Sequence, residues 1–305
     1  MAGHLLVVGE ALVEIMRPRR GLPLDVPGPF EGPFPSGAPA IAADAAARSG
    51  ADVTLIATVG NDPFGRLLIS RLSAGRVNTA NMRILDDAVT GVAFVAYDQT
   101  GSREFVYHVA NAAPARLRPS DLGSTPEGAT WIHVSGSSLA LSESLAATVL
   151  TAVERVRDIG GSVCFDPNWR AGAAGATAAL SGAERLLEVA SLVLPSVGEL
   201  EALGTSAVAL ARRGVLVCET DGSNGARLYQ GDSMTMIPGI ATQEIDPTGA
   251  GDVFSGTFLA VFMATADPVR AAQAANAAAA THVMTMGPMA PLVGNFSPPA
   301  AREQS

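Results

Sequence analysis

Short apolar runs alternate with helix-length, Ala- and Leu-rich segments along most of the chain, and this alternation restricts the fold more than any other feature. The runs "LLVVGE", "VTLIATVG", "WIHVSG", "SVCFDP", "SLVLPS" and "GVLVCE" read as strands. Helices are predicted at 38–49, 64–75, 142–158, 178–189, 250–265 and 268–285. Strands that alternate with helices in this way form a parallel sheet joined by crossover helices. Two stretches break the pattern. Residues 11–36 are rich in Pro and Gly, and "TGVAFVAYDQTGSREFVYHV" alternates about a turn at Gln99 to Ser102, as a hairpin does. Ligands of open α/β sheets sit beyond the carboxyl ends of the strands. A small sheet inserted from about 11–36 and 90–110 near that edge would therefore act as a lid. The expectation is one domain over 1–305. No internal repeat or linker interrupts it, and only the polar tail "SPPAAREQS" stands apart.

Composition narrows the chemistry. With 305 residues, 48% of them hydrophobic and 16% charged, the chain has apolar material for a sizeable core. A net charge of -9 argues against a nucleic-acid partner, which calls for a basic stripe. All 20 basic residues are arginines, so lysine Schiff bases, pyridoxal chemistry and the P-loop lysine are excluded together. Cys164 and Cys218 lie within apolar runs and read as buried thiols in a reducing cytoplasm. The start of the chain enters "HLLVVGEALVEIM" without a basic, cleavable leader. No apolar run approaches the ~20 residues of a membrane span, so a cytoplasmic protein without a membrane partner is expected.

The stretch "IDPTGAGDVFSG" carries the strongest chemical signal. Gly249, Ala250 and Gly251 leave their amides open to a close-approaching group, and Asp252 follows at the start of an apolar helix. A helix N-cap accounts for Asp252 alone. A phosphoryl-transfer site accounts for the three small residues as well, because it needs bare amides against the transferred oxygens and a base for the acceptor hydroxyl.

The segment "DPTGAGDVFSGTFLA" resembles the C-terminal signature of the ribokinase-like, or PfkB-type, carbohydrate kinases. The likeness spans nearly the whole chain. "VVGEALVEIM" is similar to that family's first strand, "PSGAPAIAADAAARSG" to its sugar-site Gly-Gly segment, and "ATVGNDPFGRLLISRL" to the strand and helix after it. "GSREFVYH" resembles the lid hairpin, "FDPNWR" the sugar-facing strand end, and "LPSVGELEAL" the Asn-x-x-Glu region. "ETDGSNGARLY" resembles the nucleotide strand and "AAQAANAAAATHVMTMGPM" the last long helix. The resemblance implies a mostly parallel α/β sheet with helices on both faces and a small β-sheet lid. It implies ATP and Mg2+ as cofactors and leaves room for a monovalent cation. Carried over residue by residue, it makes Asp252 the base and the amides of Gly249, Ala250 and Gly251 the anion hole. Glu199 would organise Mg2+ through water, with Ser196 in place of the usual Asn. Thr220, Gly222 and Gly225 would face the nucleotide phosphates and ribose, and Asn276 would flank the adenine.

The sugar side departs from the family pattern. Glu14 stands where many members have Asp, Ser36-Gly37 replaces Gly-Gly ahead of Ala38, and Ile41 replaces a common Asn. On the hairpin, the aromatic Tyr107 is followed by His108 and Val109, whereas sugar-acid kinases place an Arg there to pair a substrate carboxylate. The resemblance implies that Arg170 reaches the substrate, while Asn168 beside it either binds phosphate oxygens or shapes the turn after Pro167. These departures favour a neutral ketohexose of the fructose or tagatose type, and "GEALVEIM" with "PSGAPA" resembles bacterial ketohexose-kinase-like members. The alternatives are a 2-keto-3-deoxygluconate kinase and a catalytically retired sugar-binding regulator. A dinucleotide enzyme fails, because "VVGEALVE" lacks the Gly-x-Gly-x-x-Gly turn. Nucleoside phosphorylation is disfavoured by the 5% aromatic content. The lid's exposed face is expected to pair with a second copy. The short stretch from Leu203 to Val215 is expected to lack a peripheral helix.

Overall fold

The computed structural model describes residues 3–169 and 176–289. In chain order the strands are β1 (His4–Val8), β2 (Leu12–Met16), β3 (Glu31–Ser36), β4 (Asp52–Ile56), β5 (Thr58–Gly60), β6 (Arg83–Leu85) and β7 (Gly91–Tyr97). They continue as β8 (Arg103–His108), β9 (Trp131–Ser135), β10 (Ser162–Asp166), β11 (Leu192–Val193), β12 (Leu216–Thr220), β13 (Gly225–Gln230) and β14 (Ser233–Pro238). The helices are α1 (Ala38–Arg48), α2 (Pro63–Ala74), α3 (Gly136–Leu141), α4 (Glu143–Asp158), α5 (Ala176–Val189), α6 (Glu199–Ala202), α7 (Ala207–Arg212), α8 (Ala250–Thr265) and α9 (Pro268–His282).

The larger sheet runs β14-β13-β12-β11-β10-β9-β1-β4. Its β4, β1, β9, β10, β11 and β12 pair in parallel, while β13 and β14 return antiparallel. Successive β1 side chains point to opposite faces and divide the core. Leu5 and Val7 pack with Ile41 of α1, Phe254 and Phe258 of α8 and Ala271 of α9. Leu6 and Val8 pack with Leu145 and Val149 of α4 and Leu186 of α5. Alanine-rich faces let α1 approach α8 closely. A Cβ at Gly256 would come within 2.1 Å of the Ala42 carbonyl, so only glycine fits there.

Helix starts follow local chemistry. The Ser142 side chain accepts the Leu145 amide at the head of α4, and Asp267 accepts the amides of Val269 and Arg270 at the head of α9. At α8 the N-cap is Gly249, in the left-handed region at φ 79°, and no side chain caps the turn.

A smaller four-stranded sheet, ordered β3-β2-β7-β8, is drawn from the two stretches that break the α/β pattern, and β5 pairs with β6 apart from it. Between β2 and β3 the Pro-rich crossover is shaped by Arg17. Its guanidinium donates to the carbonyls of Pro29 and Pro23 and lies 3.9 Å over the Phe30 ring.

The mostly parallel sheet covered on both faces, with a second smaller sheet, is the architecture expected from the sequence. The segment after β12, whose strand direction the sequence left open, forms the antiparallel β13–β14 hairpin. One detail differs. The Leu203 to Val215 stretch keeps a helix, the six-residue α7, and β12 stays in register with β11. Among the described residues no helix is long and apolar enough to cross a membrane.

Candidate active site

The carboxyl ends of the parallel strands deliver most of the polar groups to one edge of the sheet. Glu10 follows β1, Ser137 follows β9, Asp166 ends β10, Ser196 and Glu199 follow β11, and Thr220 ends β12. Two adjoining pockets open there, of about 250 Å3 and about 540 Å3. Arg103, Asn168, Gly249 and Asp252 line both, so the start of α8 and one arginine of the smaller sheet stand where the pockets meet.

The smaller pocket is lined by Asp166, Ser196, Glu199, Thr220 and the turn from Gly249 to Asp252. Glu199 is held by two backbone amides at 2.8 Å, those of Trp169 and Ser196. Ser196 therefore anchors Glu199 through its main chain, and its hydroxyl lies 3.2 Å from that of Thr220. Asp166 accepts from Ser255 at 2.8 Å and from the Asn168 amide at 3.0 Å. Its carboxyl is pushed well above the usual range, first by burial and then by the charges of Glu199 and Asp252, with the two hydrogen bonds opposing. Asn168, at φ 41°, turns its side-chain amide to Asp252 Oδ1 at 3.3 Å. A Cβ at Gly251 would meet nothing within 4 Å, so the face of this turn is open. The Ala250 amide donates to Pro247 O at 3.2 Å.

The larger pocket has a polar end and an apolar one. Glu14, 7% exposed, accepts from Ser36 at 2.7 Å. Glu10, 4% exposed, accepts from Ser137 at 2.6 Å and Ser138 at 2.5 Å. Phe105 and Tyr107, stacked at 5.3 Å, form an apolar wall with Val109, Leu141 and Trp169. This arrangement can accept hydrogen bonds from several hydroxyls at one end while shielding a carbon framework at the other.

Of the residues singled out in the sequence, Glu14, Gly37, Ala38, Tyr107 and Asn168 line the larger pocket. Ser196, Glu199, Thr220, Gly249, Ala250, Gly251 and Asp252 line the smaller one. Gly222 and Gly225, at φ 52° and 98°, shape the turn from β12 to β13 just outside it. Asn276 on α9 donates to the Pro238 carbonyl at 3.0 Å, tying α9 to the end of β14. Arg170 lies outside the described residues. Sequence reasoning missed Glu10, Arg103, Ser137, Asp166 and Trp169. It also took the low aromatic content as evidence about the pocket, yet Phe105, Tyr107 and Trp169 all line it. Alternation along "SREFVYHV" was the available signal, since it puts Arg103 on the face that carries Phe105 and Tyr107.

Fold and pockets together define an α/β protein of the ribokinase-like class. A family model described as pfkB family carbohydrate kinase matches residues 4–293. Fructokinases of Klebsiella pneumoniae and Salmonella typhimurium are each 32% identical to the chain, over 270 and 278 residues. The first match covers 85% of this chain and 84% of that protein, the second 88% and 87%. An Escherichia coli protein assigned as a ribokinase II, solved with ATP and Mg2+, superposes with a TM-score of 0.87 at 35% identity, covering 95% of both chains. A Vibrio cholerae fructokinase, solved with fructose, ADP and calcium, gives 0.82 at 28% identity over 94% of this chain and 95% of that one. The chain belongs to the pfkB family of carbohydrate kinases.

Proposed function

We propose that the chain is a single kinase domain with a lid, and that it transfers a phosphoryl group from ATP to a hydroxyl of a neutral ketohexose of the fructose or tagatose type. The observation that carries this reading is the place of Asp252 at the junction of the two pockets, one lined by hydroxyl-binding acids and serines, the other by open amides. The donor set suits the cofactors. Among the described residues no group of three or more His, Cys, Asp or Glu gathers to cage a metal ion. Asp166 and Glu199 instead offer two carboxylates beside the phosphate-facing turn, which suits an ion that keeps several waters and leans on phosphate oxygens. When bound, ATP supplies the phosphoryl group and Mg2+ screens its charge.

The residues divide the work as follows. Glu10, Glu14, Ser36 and Asn168 orient the sugar by accepting and donating hydrogen bonds. Asp252 takes the proton of the acceptor hydroxyl at its carboxylate, held in place by the Asn168 amide. The amides of Gly249 and Gly251, with Ala250 between them, face the developing charge at the positive end of α8. Arg103, exposed where the two pockets meet, supplies the cation that lysine provides in other phosphoryl-transfer sites. Thr220, Gly222, Gly225 and Ser196 form the nucleotide side, and Asn276 braces the wall beside it. The acids of the larger pocket, together with Val109, disfavour a sugar acid there. Cys164 and Cys218, both free and buried, support a reducing cytoplasm.

The test is ADP release with ATP and Mg2+ across a sugar panel, with and without K+, with Asp252→Asn measured in parallel. D-fructose or D-tagatose should be turned over faster than 2-keto-3-deoxygluconate. Asp252→Asn should lower turnover by roughly 10² to 10⁴, the worth of a general base. It should leave the thermal midpoint nearly unchanged, because Asn keeps the size of the side chain and Asp252 does not cap α8, whose N-cap is Gly249. Absence of ADP release with every sugar would favour the retired regulator, and an Asp252→Asn protein of wild-type rate would end the catalytic reading.

A further inference from the structure

We propose that Tyr97 is a positioning residue, whose hydroxyl locks the smaller sheet to the glycine turn at the head of α8. Placing the sheet over the acceptor then also sets the amides that face the phosphoryl group. The inference rests on the kinase reading for its catalytic meaning and on geometry alone for the lock.

Tyr97 ends β7, and its ring belongs to a small apolar cluster with Met16 and Val95, against which Phe34, Phe105 and Met286 pack. Packing there calls for an apolar side chain. The hydroxyl instead reaches out of the sheet, lying 2.7 Å from Asp246 Oδ1 and 2.6 Å from Thr248 Oγ1. Asp246, 1% exposed, also accepts the Thr248 hydroxyl at 2.7 Å, the Thr248 amide at 3.0 Å and the Gly287 amide at 2.8 Å. His282 of α9 reaches the Thr248 carbonyl at 2.7 Å. Thr248 is therefore fixed from three directions, and Gly249, the left-handed cap of α8, is the next residue.

Phe34 of β3 packs against Gly287, and among the described residues the smaller sheet hydrogen-bonds into this network through Tyr97. Its cross-strand neighbour on β8 is Arg103, so one rung of the sheet carries both the arginine shared by the two pockets and the hydroxyl that grips the turn. Burial of both ends makes the link stiff. A phenol in an apolar cluster and a carboxylate beneath it each lose water, and displacing the sheet would leave them unpaired. Burial and the neighbouring Asp246 charge also push the Tyr97 phenol upward, so it remains a neutral donor across the working pH range.

Tyr97→Phe keeps the ring and removes the hydroxyl. The test compares backbone amide exchange in the full chain, without substrate, for wild type, Tyr97→Phe and Val95→Ala. Val95 lies in the same cluster but makes no polar contact with the turn, so it reports loss of packing alone. Tyr97→Phe should speed exchange at residues 246–252 and at Gly287 by about tenfold or more, while amides of β7 and β8 stay within about threefold. Val95→Ala should lower the thermal midpoint and leave the turn unchanged. With the best sugar of the panel, Tyr97→Phe should lower kcat about tenfold and leave the sugar KM within about threefold, as expected for geometry that matters in the transition state. Exchange that rises only within β7 and β8, or equally in both variants, would overturn the lock, and an unchanged kcat would overturn its catalytic role. A panel without any turnover would sink the kinase reading while the exchange comparison still decides the lock.

Discussion

At the scale of single residues, Asp166 shows what sequence hides. It sits inside "FDPNWR", where an acid before proline reads as a turn former. Its environment is made by Glu199, Asp252 and Ser255, which come from distant segments and meet only after β10, α6 and α8 are in place. Asp252 was legible because its glycine neighbours announce an open turn locally; Asp166 has no such local announcement. The cost of crowding Asp166 with two other carboxylates gives a pH prediction. Its folded pKa lies above the unfolded value of about 4, so the folded chain holds this proton more tightly than the unfolded chain does. The stability tied to Asp166 is therefore present at low pH and is lost as pH rises from about 4 through the folded pKa. Asp166→Asn keeps one acceptor and removes the charge. It should melt higher than wild type at pH 8, by about 1–2 °C for each kcal/mol of repulsion relieved, with the gap closing near pH 4. Thermal melts at the two pH values check this, and a lower midpoint for Asp166→Asn at pH 8 would contradict it.

At the scale of elements, the six longest helices were legible to within a few residues, helped by caps and prolines where Asp62-Pro63 opens α2 and Asp267-Pro268 opens α9, while the six-residue α3 and α7 were not. The β13–β14 hairpin was less legible than the long helices. Its two strands flank Gly231-Asp232 and leave Met234 and Met236 exposed, so neither strand shows the uninterrupted apolar run by which the parallel strands were found. Strand β8 was read as part of a hairpin, but the consequence of its two-residue period was not drawn. Arg103, Phe105, Tyr107 and, just past the strand, Val109 all face the larger pocket. The strand thus presents its one cation at the end shared with the smaller pocket and an apolar group at the other. Val109→Arg adds a guanidinium at the apolar end. It should improve kcat/KM for 2-keto-3-deoxygluconate relative to D-fructose by about 1 to 3 kcal/mol, the worth of a charge-assisted pair. Competition between the two sugars in one assay measures the ratio directly. A wild-type preference for the sugar acid would refute the premise that this end of β8 selects against a carboxylate.

At the scale of the whole molecule, the smaller sheet has a second face, turned away from the pockets. Val106, 40% exposed, stands on it opposite Phe94, which contacts Phe30 and His108 edge-on at 5.6 Å and 5.9 Å. Phe30 and Val26 are themselves 41% and 44% exposed. Strand β8 is also an outer edge of this sheet, so apolar side chains and unpaired backbone groups are exposed together. A second copy laid against the open face would bury Val106, Phe30 and Val26 and cover the edge of β8. We therefore propose a homodimer formed through the smaller sheets. Because Arg103 and the apolar wall of the larger pocket belong to the same sheet, loosening the dimer should be felt at the sugar site before the nucleotide site. Val106→Glu places a charge at the centre of the open face without touching either pocket lining. It should shift a micromolar dimer to monomer in sedimentation velocity and raise the sugar KM several-fold, with the ATP KM little changed. A wild-type chain that sediments as a monomer across the micromolar range would remove the dimer. A monomeric Val106→Glu with unaltered sugar KM would separate assembly from the sugar site.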